Sequence, residues 1–206
     1  MLKEGISSLP SDEPTPARAK LMAQLAKRRM VQSRFAEAAD WAREAIDVAR
    51  ATGHREAESM ALNALGTALG ESGEVDDGVA YLRESLAIAS DEHLEMEEGG
   101  AWINIADVLN LVGRTQEALD IARQGLENAY TRDWRTTDWL QLAVSEMSFH
   151  LGDCAAAQAA IPSSSRRHTG GTLLYWQSCT ALLALGRGDL DAAERRWRCS
   201  RSARRS

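Results

Sequence analysis

Proline is absent from residues 17 to 161, because the chain's four prolines are Pro10, Pro14, Pro16 and Pro162. Proline removes a backbone donor and clashes with the preceding helical turn, so this stretch can hold long unbroken helices. Aromatic residues make up only 5% of the chain and β-branched residues are few, while alanine, leucine, glutamate and arginine dominate. An all-α chain is expected. The three cysteines, Cys154, Cys179 and Cys199, are an odd number without short pair spacing, which argues against a disulfide framework and a zinc site and for reduced structural thiols. No apolar run approaches the roughly 20 residues of a membrane span. The opening MLKEGISSLP lacks the apolar stretch of a secretory signal. The expectation is a cytoplasmic protein that does not engage a membrane.

Catalytic signatures are missing too. GTALGESG at 66 to 73 has glycines but no lysine to reach a phosphate. His54, His93, His150 and His168 are scattered without the i, i+4 spacing of a metal pair, and no serine or cysteine sits in a glycine elbow. No enzyme activity, metal or cofactor is expected. Positive charge is sparse outside the last twelve residues. The net charge is −6, yet six arginines and no acid lie in 195 to 206, leaving 18 basic against 30 acidic groups before them. An acidic body with a basic tip is not the pattern of a general nucleic-acid binder, so no direct nucleic-acid binding is expected. Trp197 is the one aromatic among those arginines.

What the chain does have is a repeated hairpin. Between Trp102 and Ala129, Ile105, Val108, Leu109 and Val112 keep three-and-four spacing up to a glycine, after which Ala118, Leu119, Ala122 and Leu126 resume it. The spacing predicts two amphipathic helices around a tight turn. The turn residue recurs as Ser33, Gly73, Gly113, Gly152 and Gly188, with spacings of 40, 40, 39 and 36. Five positions after each stands a small residue: Ala38, Gly78, Ala118, Ala157 and Ala193. An apolar residue follows thirteen positions after the first three, as Ile46, Leu86 and Leu126. Glycine ends a helix cheaply in the left-handed conformation, and the small residue lets the two helices approach. Glu74, Arg114, Asp153 and Asp189 follow the turn, the aspartates being suited to cap the next helix. Hairpins repeating at this period bury one another's faces as a helical solenoid.

The expected organisation is a flexible lead-in over 1–16 and a single repeat domain over 17–198, with pairs near 17–53, 54–92, 93–132, 133–162 and 171–198. A basic tail covers 199–206. The fourth pair has a short second helix stopped by Pro162, and SSSRRHTGG at 163 to 171 reads as a loop. After Arg195 the chain departs from the repeat, which gives the expectation of a fragment or truncated product with a frayed or non-native end. Arg187-Gly188-Asp189 is an RGD triplet whose residues the turn already accounts for.

The pattern resembles the tetratricopeptide repeat, with its turn glycine, the small residue after it, and a second small residue supplied here by Ala45, Ser85 and Gly125. Trp102 and Trp176 match the aromatic near the start of the first helix, a packing position, where Met22, Leu62 and Leu140 stand in the other pairs. The period exceeds the usual roughly 34 residues. With phrases such as LNALGTALGESGEVDDGVAYLRESLAIA and AWINIADVLNLVGRTQEALDIARQGLE, and the lead-in LPSDEPTPARAKLMAQLAKRRM, the chain is similar to the MalT-like sensor region of large bacterial LuxR-type transcriptional regulators. In that family the array lies between an ATP-binding module and a DNA-binding helix-turn-helix, and this sequence has neither motif. The resemblance implies a right-handed superhelical solenoid of about five helix pairs that senses or docks rather than catalyses. The alternatives are a free-standing scaffold or adaptor and a small-molecule sensor.

In such arrays the first helices carry the ligand groove. Register assigns to that face Lys27, Asn63, Thr67, Asn104, Asp107, Asn110, Trp139, Glu146 and His150. Asparagines and carboxylates disfavour helix interiors relative to alanine, so their accumulation on one face suggests use. With only Lys27 against Asp107 and Glu146, an acidic peptide is a poor ligand. A polar, neutral or basic peptide or protein segment, or a small polyhydroxylated molecule, fits better. Self-association through the array ends is a further expectation.

Overall fold

The computed structural model describes residues 13–131, 136–162 and 170–203, with side chains as far as residue 196. Residues 1–12 of the lead-in, Trp134, positions 163–169 of the expected loop with His168, the side chains of Trp197 and Cys199, and positions 204–206 lie outside the described residues. The described residues form ten α-helices and no strand: α1 Pro16–Val31, α2 Phe35–Thr52, α3 Arg55–Glu71, α4 Val75–Asp91, α5 Glu95–Leu111, α6 Thr115–Thr131, α7 Thr137–His150, α8 Cys154–Ala160, α9 Gly170–Gly186 and α10 Leu190–Ala203. None is long and apolar enough to cross a membrane. The chain divides into two compact units between Val112 and Gly113.

The turns obey the chemistry of their residues. Gly73, Gly113, Gly152 and Gly188 have φ of 99°, 80°, 83° and 74°, and Ser33 adopts the same left-handed region at 56°. At these turns the next amide reaches back across the helix end, as from Glu74 N to Leu69 O at 2.9 Å and from Asp153 N to Ser148 O at 2.9 Å. Carbonyls that the helix leaves orphaned are thereby bonded. A second left-handed series joins one pair to the next, at Gly53 (φ 65°) and, one period later, His93 (φ 55°). The caps are equally local. Thr15 Oγ1 accepts from Arg18 N at 3.2 Å ahead of Pro16. Asp153 and Asp189 accept from Ala156 N and Ala192 N at 2.8 and 2.9 Å.

In the first unit α1 pairs with α2 and α3 with α4, α3 packs on α1 and α2, and α5 lies against α3 and α4. Its core joins Met22, Leu25 and Ala26 to Ala38, Ala42 and Ala49 and to Leu62 and Leu65, all at 2% exposure or less. Burying each large aliphatic side chain contributes about 1.5–3 kcal/mol. The small residues five positions after the turns, Ala38, Gly78, Ala118, Ala157 and Ala193, are all buried. Where α3 meets α4, Ser59 and Ser85 are fully buried and donate to each other's carbonyls, at 3.1 Å from Ser59 Oγ and 2.8 Å from Ser85 Oγ. Glu58, only 4% exposed, receives Arg50 Nε at 2.8 Å and Arg55 Nη1 at 2.5 Å. Arg50 also reaches Glu84 at 2.6 Å, and its bond to Glu58, followed by the nearby carboxylate charge, holds its guanidinium pKa above the ordinary value.

In the second unit α7 packs on α6, α8 and α9, and α9 pairs with α10. Leu140, Leu142, Ala143 and Met147 of α7 are fully buried. The short α8 ends at Ala160, and Ile161 leaves it in an extended conformation before Pro162. Gly170 and Gly171, read above as the end of a loop, instead open α9, and α10 stays helical to Ala203. Trp176 is half-buried, donating its indole N–H to Pro162 O at 3.2 Å under the guanidinium of Arg196, 5.6 Å from the ring centre. Trp102, in the first unit, is also half-buried.

Candidate functional site

Three of the expected groove residues share one cleft of the first unit. Lys27 comes from α1, Asn63 from α3 and Asn104 from α5, and with Met30, Met60, Met96, Glu97 and Gly100 they line a cavity of about 50 Å³. The side-chain amides of its floor are joined, Asn104 Nδ2 donating to Asn63 Oδ1 at 2.6 Å. That bond engages one acceptor and one donor, leaving the Asn63 amide N–H and the Asn104 carbonyl to offer a donor beside an acceptor. Such a couple matches the N–H and C=O of an extended main chain. Gly100 lies beside Asn63, whose Nδ2 would be 3.9 Å from a Cβ placed there, an ordinary contact.

The rim is apolar and adaptable. Met60 is 8% exposed and Met96 51% exposed, with Met30 half-buried between these extremes. Methionine is unbranched and polarisable, so it can fit side chains of differing shape. Lys27 is exposed and Glu97 half-buried, giving the cleft one charge of each sign. Thr67, by contrast, is 9% exposed and turns its hydroxyl to Asn63 O at 2.9 Å, so its own helix uses it. Asp107 is exposed and Asn110 half-buried on α5, outside the cleft lining.

Trp139, Glu146 and His150 belong to α7 in the second unit. Trp139 lies against Tyr175 of α9, ring centres 5.4 Å apart and planes tilted by 44°. Tyr175 donates its hydroxyl to Glu146 Oε2 at 2.5 Å. Two aromatic rings beside a carboxylate form a surface suited to a cation. His150 is exposed at the end of the helix. Behind this cluster Cys179 is 2% exposed, and burial, aided by the charge of Glu146, pushes its thiol pKa well above the ordinary 9.0. Among the described residues no group of three histidines, cysteines or acids could hold a metal ion.

No family model matches the sequence, and no curated protein does. Solved structures do match. The kinesin light chain of Podosopora anserina with nearly identical TPR-like repeats aligns over 93% of this chain and 97% of its own, at 16% identity and a TM-score of 0.62. A Rap protein complexed with competence and sporulation factor aligns over 98% of this chain and 57% of its own, at 13% identity and a TM-score of 0.77. The Rap conjugation gene regulator of plasmid pLS20, in complex with the Phr* peptide, aligns over 94% and 54%, at 16% identity and a TM-score of 0.73. The fold is that of a tetratricopeptide-like repeat solenoid. This chain spans just over half the length of the two Rap proteins.

On the tetratricopeptide-like register, Met60, Gly100, Trp139 and Tyr175 each stand thirteen residues before their turn glycine. Met60 and Gly100 line the first-unit cleft, and Trp139 and Tyr175 form the aromatic pair of the second unit. Sequence reasoning named only Trp139 of these four. The turn spacing that defined the repeat contained the signal for the others. Met30, Met96 and Glu97 had no such signal, because methionine on an amphipathic helix reads as core and glutamate in a first turn reads as a solvated charge.

Proposed function

We propose that this chain is a non-catalytic recognition module that binds an extended peptide segment of a protein partner at the cleft formed by the first helices of its first unit. The observation that carries this reading is the bonded pair Asn63 and Asn104 at the floor of a methionine-rimmed cleft. The pair offers a donor and an acceptor to a main chain, and the methionines offer an apolar seat to one side chain. In the second unit, taken by itself, Trp139, Tyr175 and Glu146 suit a basic side chain, with His150 further along the helix of Glu146. A neutral or basic peptide is therefore preferred over an acidic one. The peptide-bound Rap regulator of similar fold supports a peptide as the ligand class. The similarity to the sensor region of LuxR-type regulators makes transcriptional regulation the setting we favour, with Asp107 and Asn110 extending the groove and Thr67 backing its wall.

The test is selection from a displayed library of random peptides, followed by calorimetric titration of those recovered. Enriched peptides should bind the Asn63→Ala, Asn104→Ala double variant about tenfold or more weakly, as expected for two hydrogen bonds of about 0.5–1.5 kcal/mol each. Helicity should not change. Recovery of no peptide, or of peptides whose affinity ignores both asparagines, overturns the reading.

A further inference from the structure

The cleft of the first unit holds two opposite charges that the protein itself leaves unused. Lys27 lines it from α1 and Glu97 from α5, the two helices that both pack on α3. Among the described residues neither side chain has an ion-pair or hydrogen-bond partner. The contrast with their neighbours is local. Lys20, two turns earlier on α1, is closed by Glu56 of α3 at 3.0 Å, and Glu95 and Glu98, which share the first turn of α5 with Glu97, are engaged elsewhere. The positive end of its helix accounts for a carboxylate at position 97. It does not account for a half-buried carboxylate facing a cleft, where hydration is lost and no protein cation replaces it.

The seat between the two charges limits what can fill it. At about 50 Å³ the cavity takes about three to five heavy atoms, since one water-sized group needs roughly 10–15 Å³. That fits an aliphatic side chain against Met30, Met60 and Met96, and excludes an aromatic one. Packed helix axes lie about 8–10 Å apart, which sets α1 and α5 at most about 16–20 Å from each other. Four steps of extended chain cover about 13 Å and bring the side chain back to the same face. We propose that the occupant is a dipolar segment, with an aliphatic residue seated among the methionines, a basic residue two positions away on the Glu97 side and an acidic residue two positions away on the Lys27 side. The inference rests on the peptide reading above and adds to it the order of charge along the bound chain. Asn63 and Asn104 hold a main chain whatever its sequence. Glu97 and Lys27 fix which way round the segment lies, and repel one of the opposite order.

Selection of displayed random peptides against the wild-type chain and, in parallel, against a Lys27→Glu, Glu97→Lys variant tests the inference. Peptides enriched on the wild type should carry a basic and an acidic residue on opposite sides of a leucine, isoleucine or valine, in one order along the chain. The charge-reversed variant should enrich the reverse order and bind the wild-type peptides about tenfold or more weakly, since like charges then face each other. A Lys27→Met, Glu97→Gln variant should still require both asparagines for binding but enrich neither order. Should the charge-reversed variant lose its helical circular dichroism, this neutral variant decides alone. Peptides that depend on Asn63 and Asn104 yet show no order of charge, or that keep the same order on the variants, overturn this inference and leave the peptide reading standing. Recovery of no peptide overturns both.

Discussion

Gly66 and Gly78 bring the backbones of α3 and α4 together so closely that a Cβ on either would lie 2.6 Å from the other's carbonyl oxygen. Alanine favours a helix over glycine by about 1 kcal/mol. The overlap is with backbone, which no rotamer change relieves, and overpacking costs about 1–3 kcal/mol. Overlap should win. Gly66→Ala and Gly78→Ala should each lower the urea midpoint, whereas Gly100→Ala, with nothing closer than 3.9 Å, should raise it or leave it unchanged.

Ser33 and His93 hold left-handed backbone without being glycine. A side chain in that region costs roughly 1–2 kcal/mol. The extra freedom of an unfolded glycine returns part of this, about 0.5–1 kcal/mol. Ser33→Gly and His93→Gly should therefore stabilise by a few tenths to about 1 kcal/mol in chemical denaturation. Gly113→Ala should destabilise by a similar amount through its backbone alone, because nothing lies within 4 Å of its missing Cβ.

Cys179 should be silent toward thiol reagents at neutral pH while the exposed Cys154 reacts, measured in a Cys199→Ser background. The raised thiol pKa has a sign for stability. Below the ordinary value of 9.0 both folded and unfolded chains hold the proton; above it the unfolded chain loses its proton first. Stability is thus present in full below that pH and is lost progressively as pH rises toward the folded value. A Cys179→Ala variant should have a flatter urea midpoint between pH 8.5 and 10, a window that brackets the ordinary thiol value. An unchanged slope would count against the burial argument.

The repeat was legible because its turns and close contacts demand particular residues. Glycine at a left-handed turn and a small residue at the helix crossing leave marks at fixed spacing, and four glycine turns with Ser33 at the first made the tetratricopeptide-like fold readable. In the second left-handed series Gly53 marks a helix end as glycine does, but His93 was not legible, since it carries no sign of its backbone conformation. Glu58 was missed because a glutamate in a helix's first turn reads as solvated, and its burial becomes tolerable once packing brings Arg50 of α2 to join Arg55, its neighbour one turn earlier on α3. At the cleft, register identified Asn63 and Asn104, but their bond depends on how closely α5 approaches α3. Tyr175 holds the same place before Gly188 that Trp139 holds before Gly152, so its register was legible, while its contacts with Trp139 and Glu146 depend on how α9 packs on α7.

Alanine-lined helix pairs are smooth, and a smooth interface tolerates sliding. At the register of Ser59 and Ser85 the first pair has Ala19 and Ala45, which fix no particular alignment. The serine pair does, because its two reciprocal bonds form only when α3 and α4 are in step. Displacing one helix by a single turn would leave both hydroxyls in a dry interface without those carbonyls. Ser59 and Ser85 thus act as an index mark for the second hairpin, setting where Asn63, one turn further along α3, comes to rest beneath Asn104.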